Sequence, residues 1–250
     1  MHHFFVSPDQ VSDGKIEIKG TDVNHIKNVL RMKNGEELQI SDGTGMLYLC
    51  EITEMNSEWV LASVKDSQTS DAELPARLYL FQGLPKSDKM ELIIQKAVEL
   101  GACEIIPVAT KRAVVKLDEK KASKKVERWQ SIAEGGAKQS GRVVIPKVQN
   151  VMTYKEAIQY AKTMDVILIP YELAEGMAET KKAVEAIRDG QSVAIFIGPE
   201  GGFEEEEVTY ATENGARVIS LGKRILRTET AGLTTLSILM YHLECRSHNL

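Results

Sequence analysis

From Ala76 onward, short apolar runs alternate with stretches of helical periodicity, and this alternation constrains the fold more than any other feature of the chain. The apolar runs are ARLYLFQG, CEIIPVA, DVILIPY, SVAIFIG and ARVISLG. The helical stretches are KSDKMELIIQKAVELG, KKASKKVERWQSIAEG, TYKEAIQYA, AETKKAVEAIRDG, FEEEEVTYATENG and TETAGLTTLSILMYHLE. Strands that are apolar on both faces are typical of a parallel sheet covered by helices on each side. We therefore predict an α/β domain over residues 76–250 whose ligands bind at the carboxyl ends of the strands.

The first 65 residues have a different pattern, made of short alternating strands. KIEIKG and SEWVLASVK alternate apolar and polar residues, and EELQISDGTGMLYLCEITEM reads as two strands joined through the DGTG segment, which is a hairpin signal. Thr21 is a candidate N-cap for a helix with apolar residues at helical spacing, namely Val23, Ile26 and Leu30. These patterns predict a small β-barrel that carries one helix.

The segment Asp66–Pro75, DSQTSDAELP, is polar, lacks periodicity and ends in proline. Such composition is typical of a linker between domains. The predicted domains are therefore residues 1–70 and residues 76–250.

Charge is unevenly distributed along a chain whose formal net charge is -5. Residues 111–142 contain ten lysine or arginine residues and four acids, whereas residues 172–213 contain three bases and eleven acids. A basic segment on an acidic body is compatible with an RNA-binding surface. A solvated, lysine-rich helix face explains the same charges equally well.

Several classes of protein are disfavoured by the sequence. The three cysteines lie far apart without zinc spacing, which argues against a structural metal or a disulfide scaffold. The N-terminus lacks the basic start and apolar run of a signal peptide, and the longest apolar stretch near the end is too short for a bilayer. We expect a cytoplasmic protein with no membrane segment and no metal.

Two segments at predicted strand ends carry candidate chemistry. In IFIGPEGGFEEEE, residues 195–207, an apolar strand leads into a glycine-rich turn and then into acids that suit the start of a helix. It has neither the dinucleotide fingerprint nor a P-loop, and four acids would repel a phosphate. For this segment alone, an ordinary strand-to-helix turn and a ligand loop remain equal alternatives.

The second segment is SLGKRILRTETAGLTTLS, residues 220–237. A strand leads into an irregular loop and then into a helix for which Thr228 is the expected N-cap. Irregular backbone beside a sheet end leaves free N–H and C=O groups that can pair with the edges of an adenine ring. Alternatively, this segment is only a helix cap with ion pairs at the protein surface.

Together, IGPEGGF and LGKRILRTETA closely resemble the ribosomal RNA small subunit methyltransferase E family of the SPOUT class. The resemblance extends in family order to HIKNVLRMKNGEE (25–37), LPKSDKMELIIQKAVELG (84–101), RAVVKL (112–117) and ERWQSIAEGGAKQSGR (127–142). It covers nearly the whole chain, and the combination is more specific than any single motif.

This resemblance implies a PUA-like N-terminal barrel and a parallel-sheet catalytic domain with a deep trefoil knot. It also implies a homodimer that uses S-adenosyl-L-methionine to methylate uridine N3 in 16S ribosomal RNA of the 30S subunit, near the decoding region. The implied cofactor-binding residues are Ile169, Tyr171, Ile197, Gly198, Gly202, Leu221, Gly222, Ile225, Leu226, Thr228 and Ala231.

Methylation of a uridine nitrogen requires loss of a proton, which suggests further roles. Glu229 is the candidate proton acceptor, and Arg227 and Arg142 are candidates for stabilising the uracil anion. Alternatively, Glu229 is simply a carboxylate favoured near the start of a helix, and Arg227 forms a structural ion pair. The expected RNA-binding residues are His25, Asn28, Arg31, Lys86, Lys89, Lys111, Arg112, Lys116, Gln139 and Ser140.

The chain departs from the family pattern in two places. His3 stands where an arginine is common, and the usual E-A-x-E-Q-S run appears as GGAKQS, residues 135–140. Two adjacent glycines weaken a helix by about 1 kcal/mol each relative to alanine. The remaining rivals are a knotted methyltransferase for tRNA or a ribose hydroxyl, a ribosome-assembly factor without catalysis, and a dinucleotide oxidoreductase, which lacks its glycine fingerprint.

Overall fold

The computed structural model describes residues 1–115, 117–174 and 176–247. It contains two units. The first comprises Met1–Glu73 with Ala137–Ile145, and the second comprises Leu74–Gly136 with Pro146–Leu250.

The first unit is built on a six-stranded sheet. Its strands are β1 (His3–Phe5), β2 (Val11–Ser12), β3 (Lys15–Lys19), β4 (Glu37–Ser41), β5 (Met46–Met55) and β6 (Trp59–Thr69). The order is β1-β4-β5-β6-β3-β2, and every pair is antiparallel except β1 with β4. Alternation fixes which face is buried, as in β3, where Ile16 and Ile18 lie in the core between exposed lysines.

The DGTG hairpin expected from the sequence is confirmed, since β4 and β5 pair with Ser41 opposite Leu47. The buried Asp42 carboxylate stabilises the turn by accepting hydrogen bonds from the backbone N–H and hydroxyl of Thr44 and from the Tyr48 hydroxyl. The interpretation of Asp66–Pro75 as a linker was wrong for its first four residues, which complete β6.

The predicted helix of the first unit differs in its details. Helix α1 covers Thr21–Asn24, and Gly20, not Thr21, occupies its N-cap position. The next five residues, His25–Val29, form a π-helical turn in which the Leu30 N–H donates to the His25 carbonyl at 2.8 Å. Apolar spacing cannot distinguish a 3.6-residue period from such a turn.

The second unit contains a seven-stranded parallel sheet, which confirms the fold predicted from the apolar runs. Its strands are β7 (Arg77–Gly83), β8 (Ala102–Ala109), β9 (Lys147–Val148), β10 (Met152–Thr153), β11 (Val166–Pro170), β12 (Ser192–Ile197) and β13 (Arg217–Ile219). The order is β10-β8-β7-β12-β11-β13, with β9 also pairing with β8. Phe81 and Phe196 stack at 4.4 Å between ring centroids in the core.

The remaining helices follow the strands as the sequence predicts. They are α2 (Lys89–Glu99), α3 (Glu119–Ser140), α4 (Tyr154–Ala161), α5 (Ala178–Glu185), α6 (Glu205–Glu213) and α7 (Thr228–Ser247). Over the residues that the structure describes, none of the helices has the length and apolar character needed to cross a membrane.

Candidate functional site

A cavity of about 390 Å³ lies at the carboxyl ends of three adjacent strands, β12, β11 and β13. Its walls come from residues within 170–172, 197–203 and 221–228, with Ala231 of α7 and Lys89 of α2. Its volume falls within the range of roughly 300–1,000 Å³ that is typical of small-molecule sites. The rule for open α/β sheets therefore locates the cavity where the sequence suggested.

Ten of the eleven residues expected to bind a cofactor line this one cavity. They are Tyr171, Ile197, Gly198, Gly202, Leu221, Gly222, Ile225, Leu226, Thr228 and Ala231. The eleventh, Ile169, is fully buried in the core of the sheet and is not among the lining residues. Side chains alternate along a strand, so the chain meets the cavity at Pro170 and beyond.

The glycine-rich turn between β12 and α6 is close to its steric limit. A Cβ atom added to Gly198 would lie 2.9 Å from the carbonyl carbon of Gly202. Gly202 has a φ of +68° and donates its N–H to the Pro199 carbonyl at 2.9 Å. Both positions therefore require glycine, and the turn presents its backbone to the cavity.

Thr228, the first residue of α7, connects the two loops. Its buried hydroxyl donates to the Gly198 carbonyl at 2.6 Å and accepts a hydrogen bond of 2.8 Å from Nε2 of the buried Gln82. The prediction that Thr228 caps its own helix was wrong, because this hydroxyl is used between loops. The first helical bond instead runs from the Ala231 N–H to the Arg227 carbonyl at 2.8 Å.

The loop before α7 keeps its backbone donors available. The N–H groups of residues 223–227 form no hydrogen bond to another described residue. The preceding Gly222 has a φ of +107°, and the Ile225 side chain is 85% exposed beside the cavity. Unpaired donors and an exposed apolar side chain suit a planar ligand with polar edges.

Three charged side chains meet at one wall of the cavity. The Lys89 Nζ lies 3.1 Å from Oε1 of Glu200 and 3.4 Å from Oε2 of Glu229. The hydrogen bond to Glu200 raises the pKa of Lys89 above its ordinary value, so this side chain is a cation at neutral pH. Lys89 and the exposed Arg227 line the cavity, whereas Glu229 is not among the lining residues.

Lys111 and Arg112, expected to bind RNA, contact the acidic start of α6. Arg112 donates from Nη1 to the Gly201 carbonyl at 2.8 Å and from Nε to Oε1 of Glu204 at 2.9 Å. The hydrogen bond from Arg112 lowers the pKa of Glu204 below its ordinary value. Lys111 pairs with Glu206 through its Nζ. The basic loop therefore holds the glycine-rich turn in position.

Arg142 lies in the first unit and is not among the residues that line the cavity. It is only 4% exposed, and its Nε donates to both carboxylate oxygens of Glu73 at 3.2 Å. The same carboxylate accepts the N–H of Val143 at 3.2 Å. This arrangement gives Arg142 a structural partner, and its catalytic role remains a prediction.

The other expected RNA-binding residues are distributed over both units. His25, Asn28 and Arg31 are exposed, but Arg31 has a φ of +55° and lies beyond the π-helical turn, so the three do not share one regular helix face. Gln139 and Ser140 are exposed at the end of α3, and Lys86 is exposed before α2. Lys116 lies outside the described residues.

Cavity residues that the sequence reasoning did not assign to the cofactor include Pro199 and Phe203, together with Lys89 and Lys223. Only Lys89 carried another expected role. Pro199, Phe203 and Lys223 lie within the two loop motifs, which could have identified them, whereas Lys89 lies on α2, far from both motifs in the sequence. Within the described part of the chain, no cluster of three or more His, Cys, Asp or Glu side chains is arranged to hold a metal ion.

Comparison with known proteins gives consistent matches over the whole chain. A model of the RNA methyltransferase domain matches residues 72–240, and one of the RNA methyltransferase PUA domain matches residues 18–64. Ribosomal RNA small subunit methyltransferase E of Bacillus subtilis (strain 168) is 38% identical, with 98% of each chain covered. The protein of the same name from Mesomycoplasma hyopneumoniae (strain 232) is 33% identical, with 95% of this chain and 98% of that one covered.

Among solved structures, the chain is similar to a ribosomal RNA small subunit methyltransferase E from Neisseria gonorrhoeae bound to S-adenosyl methionine. The two are 31% identical, with a TM-score of 0.82 and with 96% of this chain and 97% of that chain covered.

Proposed function

The chain belongs to the ribosomal RNA small subunit methyltransferase E family of RNA methyltransferases, and on this premise we propose that it methylates N3 of a uridine in 16S ribosomal RNA, near the decoding region, with S-adenosyl-L-methionine as the methyl donor. The observation that carries the proposal is the single cavity enclosed by the two loop motifs and joined by the Thr228–Gly198 hydrogen bond. A relative with the same fold binds this methyl donor.

The residues around the cavity fit the methyl donor. The free N–H groups of residues 223–227 can pair with the edges of an adenine ring, and Ile197, Leu226 and Ile225 offer apolar contacts to its faces. When bound, S-adenosylmethionine supplies an electrophilic methyl group on a sulfonium. The protein binds and orients the two reactants and excludes water, and orientation alone contributes up to about 7–11 kcal/mol to such reactions.

The side chains near the cavity provide the proton chemistry that uridine requires. The N3–H bond of the uracil ring breaks as the new bond from N3 to the methyl carbon forms and the bond from that carbon to sulfur breaks. Glu229 accepts the N3 proton and becomes a neutral carboxylic acid. Arg227, exposed at the cavity rim, stabilises the negative charge that develops on the uracil ring.

The residues proposed to contact RNA are the exposed ones that the sequence indicated, taken for each unit separately. They are His25, Asn28, Arg31, Lys86, Lys111, Arg112, Gln139 and Ser140. Contacts of cations with phosphates position RNA and make its binding depend on salt. Replacing Lys86 and Arg31 together by glutamate weakens rRNA binding and lowers its salt slope by about 2, one unit for each phosphate that is no longer neutralised. Unchanged affinity and slope would reject these contacts.

The finer architecture implied by the family belongs to the same proposal. It comprises a PUA-like barrel in the first unit, a trefoil knot in the second, a homodimer acting on rRNA within the 30S subunit, and a cytoplasmic location. Family membership supports these features.

Two measurements test the proposed function. Mass-spectrometric mapping of modified uridines in 16S rRNA, from cells with and without this protein, is expected to show one N3-methyluridine that depends on it. Calorimetric titration with S-adenosylmethionine is expected to show binding to the wild type and none to Gly198→Ala, because the added methyl group would collide with Gly202. The proposal would be overturned if 16S rRNA carried the same methylated uridines with and without this protein and if the wild-type protein did not bind S-adenosylmethionine.

A further inference from the structure

Lys89, Glu200 and Glu229 each belong to a different element at one wall of the cavity. Lys89 is the first residue of α2, Glu200 lies in the glycine-rich turn, and Glu229 lies in the first turn of α7. The Lys89 Nζ bridges the two carboxylates, at 3.1 Å from Glu200 and 3.4 Å from Glu229. A single ammonium group therefore links both cavity loops to the helix that faces them.

The Glu229 carboxylate depends on this ammonium group. Its Oε2 atom is buried and has no hydrogen-bond partner, and among the described residues Lys89 forms its ion pair. A buried carboxylate oxygen without a hydrogen-bond partner is unfavourable unless a cation lies close to it. Without Lys89, the Glu229 carboxylate would lose the ion-pair partner that fixes its orientation beside the cavity.

Glu200 in turn holds Lys89. Its carboxylate accepts the backbone N–H of Lys86 at 3.1 Å, so it is fixed to the segment that precedes α2. The Lys89 side chain is 30% exposed, and its charge is directed at two carboxylates. This geometry differs from that of a lysine that extends into solvent to meet a phosphate.

We infer that Lys89 is a positioning residue for methyl transfer, which holds the Glu229 carboxylate in the orientation needed to accept the uridine proton, instead of the RNA-binding residue that the sequence suggested. The inference rests on the proposed function, because it assigns to Lys89 a role that acts through Glu229. It adds a second residue to the proton-accepting unit, contributed by a different helix.

A double-mutant cycle tests whether Lys89 acts through Glu229. Under saturating donor and rRNA, Glu229→Gln is expected to lower the single-turnover rate by about 10²–10⁴, the usual range for loss of a general base. Lys89→Met is expected to lower it by at least about tenfold, and Lys89→Arg to restore most of the rate. The double variant K89M/E229Q is expected to match E229Q within about twofold, because coupled residues are not additive.

Binding measurements separate this role from a merely structural or RNA-binding one. Lys89→Met is expected to bind S-adenosylmethionine with a Kd within about threefold of wild type and to keep the salt slope of rRNA binding. Lys96→Met is the matched control, since Lys96 lies on the same helix and pairs with Glu99 away from the cavity. It is expected to leave the rate and both affinities unchanged.

The possible failures are distinguishable. Additive effects in the double variant, or a salt slope reduced by about 1 in K89M, would overturn the positioning role while leaving the proposed methylation intact. A lower melting temperature with no rescue by arginine would assign Lys89 a structural role and would also overturn it. If E229Q turned over at the wild-type rate, Glu229 would not be the proton acceptor and the inference about Lys89 would fall with it. If the wild-type protein did not bind S-adenosylmethionine, the proposed function itself would be overturned.

Discussion

The hydroxyl group of Thr228 donates a hydrogen bond of 2.6 Å to the carbonyl oxygen of Gly198. This bond joins the start of α7 to the end of β12, so that the two cavity loops share one anchor point. Gln82, at the end of β7, completes the anchor by donating to the same hydroxyl at 2.8 Å. The Thr228 and Gln82 side chains are buried, which makes the anchor costly to break.

Thr228→Val is therefore expected to destabilise the protein and to weaken donor binding together. Valine keeps the shape of threonine but leaves the Gly198 carbonyl without its donor, at a cost of about 1–3 kcal/mol in the free energy of unfolding. Calorimetry is expected to show a Kd for S-adenosylmethionine at least about tenfold weaker, because 1.4 kcal/mol corresponds to a factor of ten. Thr228→Ser keeps the hydroxyl and is expected to restore both. Wild-type donor affinity in Thr228→Val would contradict the anchoring role.

Arg112→Ala is expected to weaken donor binding in the absence of RNA. The guanidinium holds the Gly201 carbonyl and Glu204, so its removal releases the glycine-rich turn that forms one cavity wall. We expect a Kd for S-adenosylmethionine about three- to tenfold weaker by calorimetry, corresponding to the roughly 0.5–1.5 kcal/mol of a hydrogen bond.

Lys111→Met is the matched control for Arg112→Ala. It removes an equal charge from the same loop, but its Nζ pairs with the highly exposed Glu206, and exposed pairs contribute little. Its backbone N–H, which donates to Glu207 at 2.9 Å, is kept. Donor affinity is expected to stay at the wild-type value. If Arg112→Ala also keeps the wild-type donor affinity, the contacts of Arg112 with Gly201 and Glu204 do not support the cavity wall.

How well the sequence predicts each strand of this fold depends on how fully that strand is buried. The five longer strands of the second unit are apolar on both faces, so each appears as a continuous run. The strands β9 and β10 have two residues each, too few to show any pattern. The first strand, β1, pairs in parallel with the distant β4, and such a pairing is set by tertiary contacts that local periodicity does not record.

The candidate site, too, could be predicted from the sequence only in part. Loop motifs at strand ends identified the cavity, because parallel strands bring their carboxyl ends to one edge of the sheet. Directions of side chains were not predictable, since they depend on contacts between distant segments. Thus Thr228 bonds to Gly198 instead of capping α7, Ile169 faces the core, and Lys89 pairs with Glu200 and Glu229.

The two adjacent glycines of α3 allow a matched pair of stabilising substitutions. The helix continues through both residues. A Cβ atom at Gly135 would meet nothing within 4 Å, whereas one at Gly136 would lie 3.2 Å from a methyl carbon of Val98. Gly135→Ala is expected to raise the free energy of unfolding by about 0.5–1 kcal/mol in urea titrations. Gly136→Ala is expected to give a smaller gain or none, and an equal gain at both sites would contradict the contact with Val98.

Asp165 and Ser192 connect the starts of the neighbouring strands β11 and β12. The Asp165 carboxylate accepts the hydroxyl of Ser192 at 2.6 Å and its backbone N–H at 2.7 Å. These bonds lower the pKa of Asp165 below its ordinary value of 3.8. A carboxyl whose pKa is lower in the folded state stabilises that state above its unfolded pKa, and the contribution is lost as the pH falls through the folded value.

Asp165→Asn is accordingly expected to lower stability at pH 6 and to lose its effect in acid. Asparagine can accept hydrogen bonds from Ser192, but it lacks the charge that strengthens them. The difference in unfolding free energy between wild type and variant should be constant from pH 7 to about pH 5 and should shrink as the pH falls below 3.8, the ordinary value for Asp165. Urea unfolding across this pH range measures the difference in unfolding free energy. Ser192→Ala is a second variant, which removes only the hydroxyl donor and is expected to retain part of the pH dependence. A difference independent of pH would show that the charge of Asp165 does not contribute.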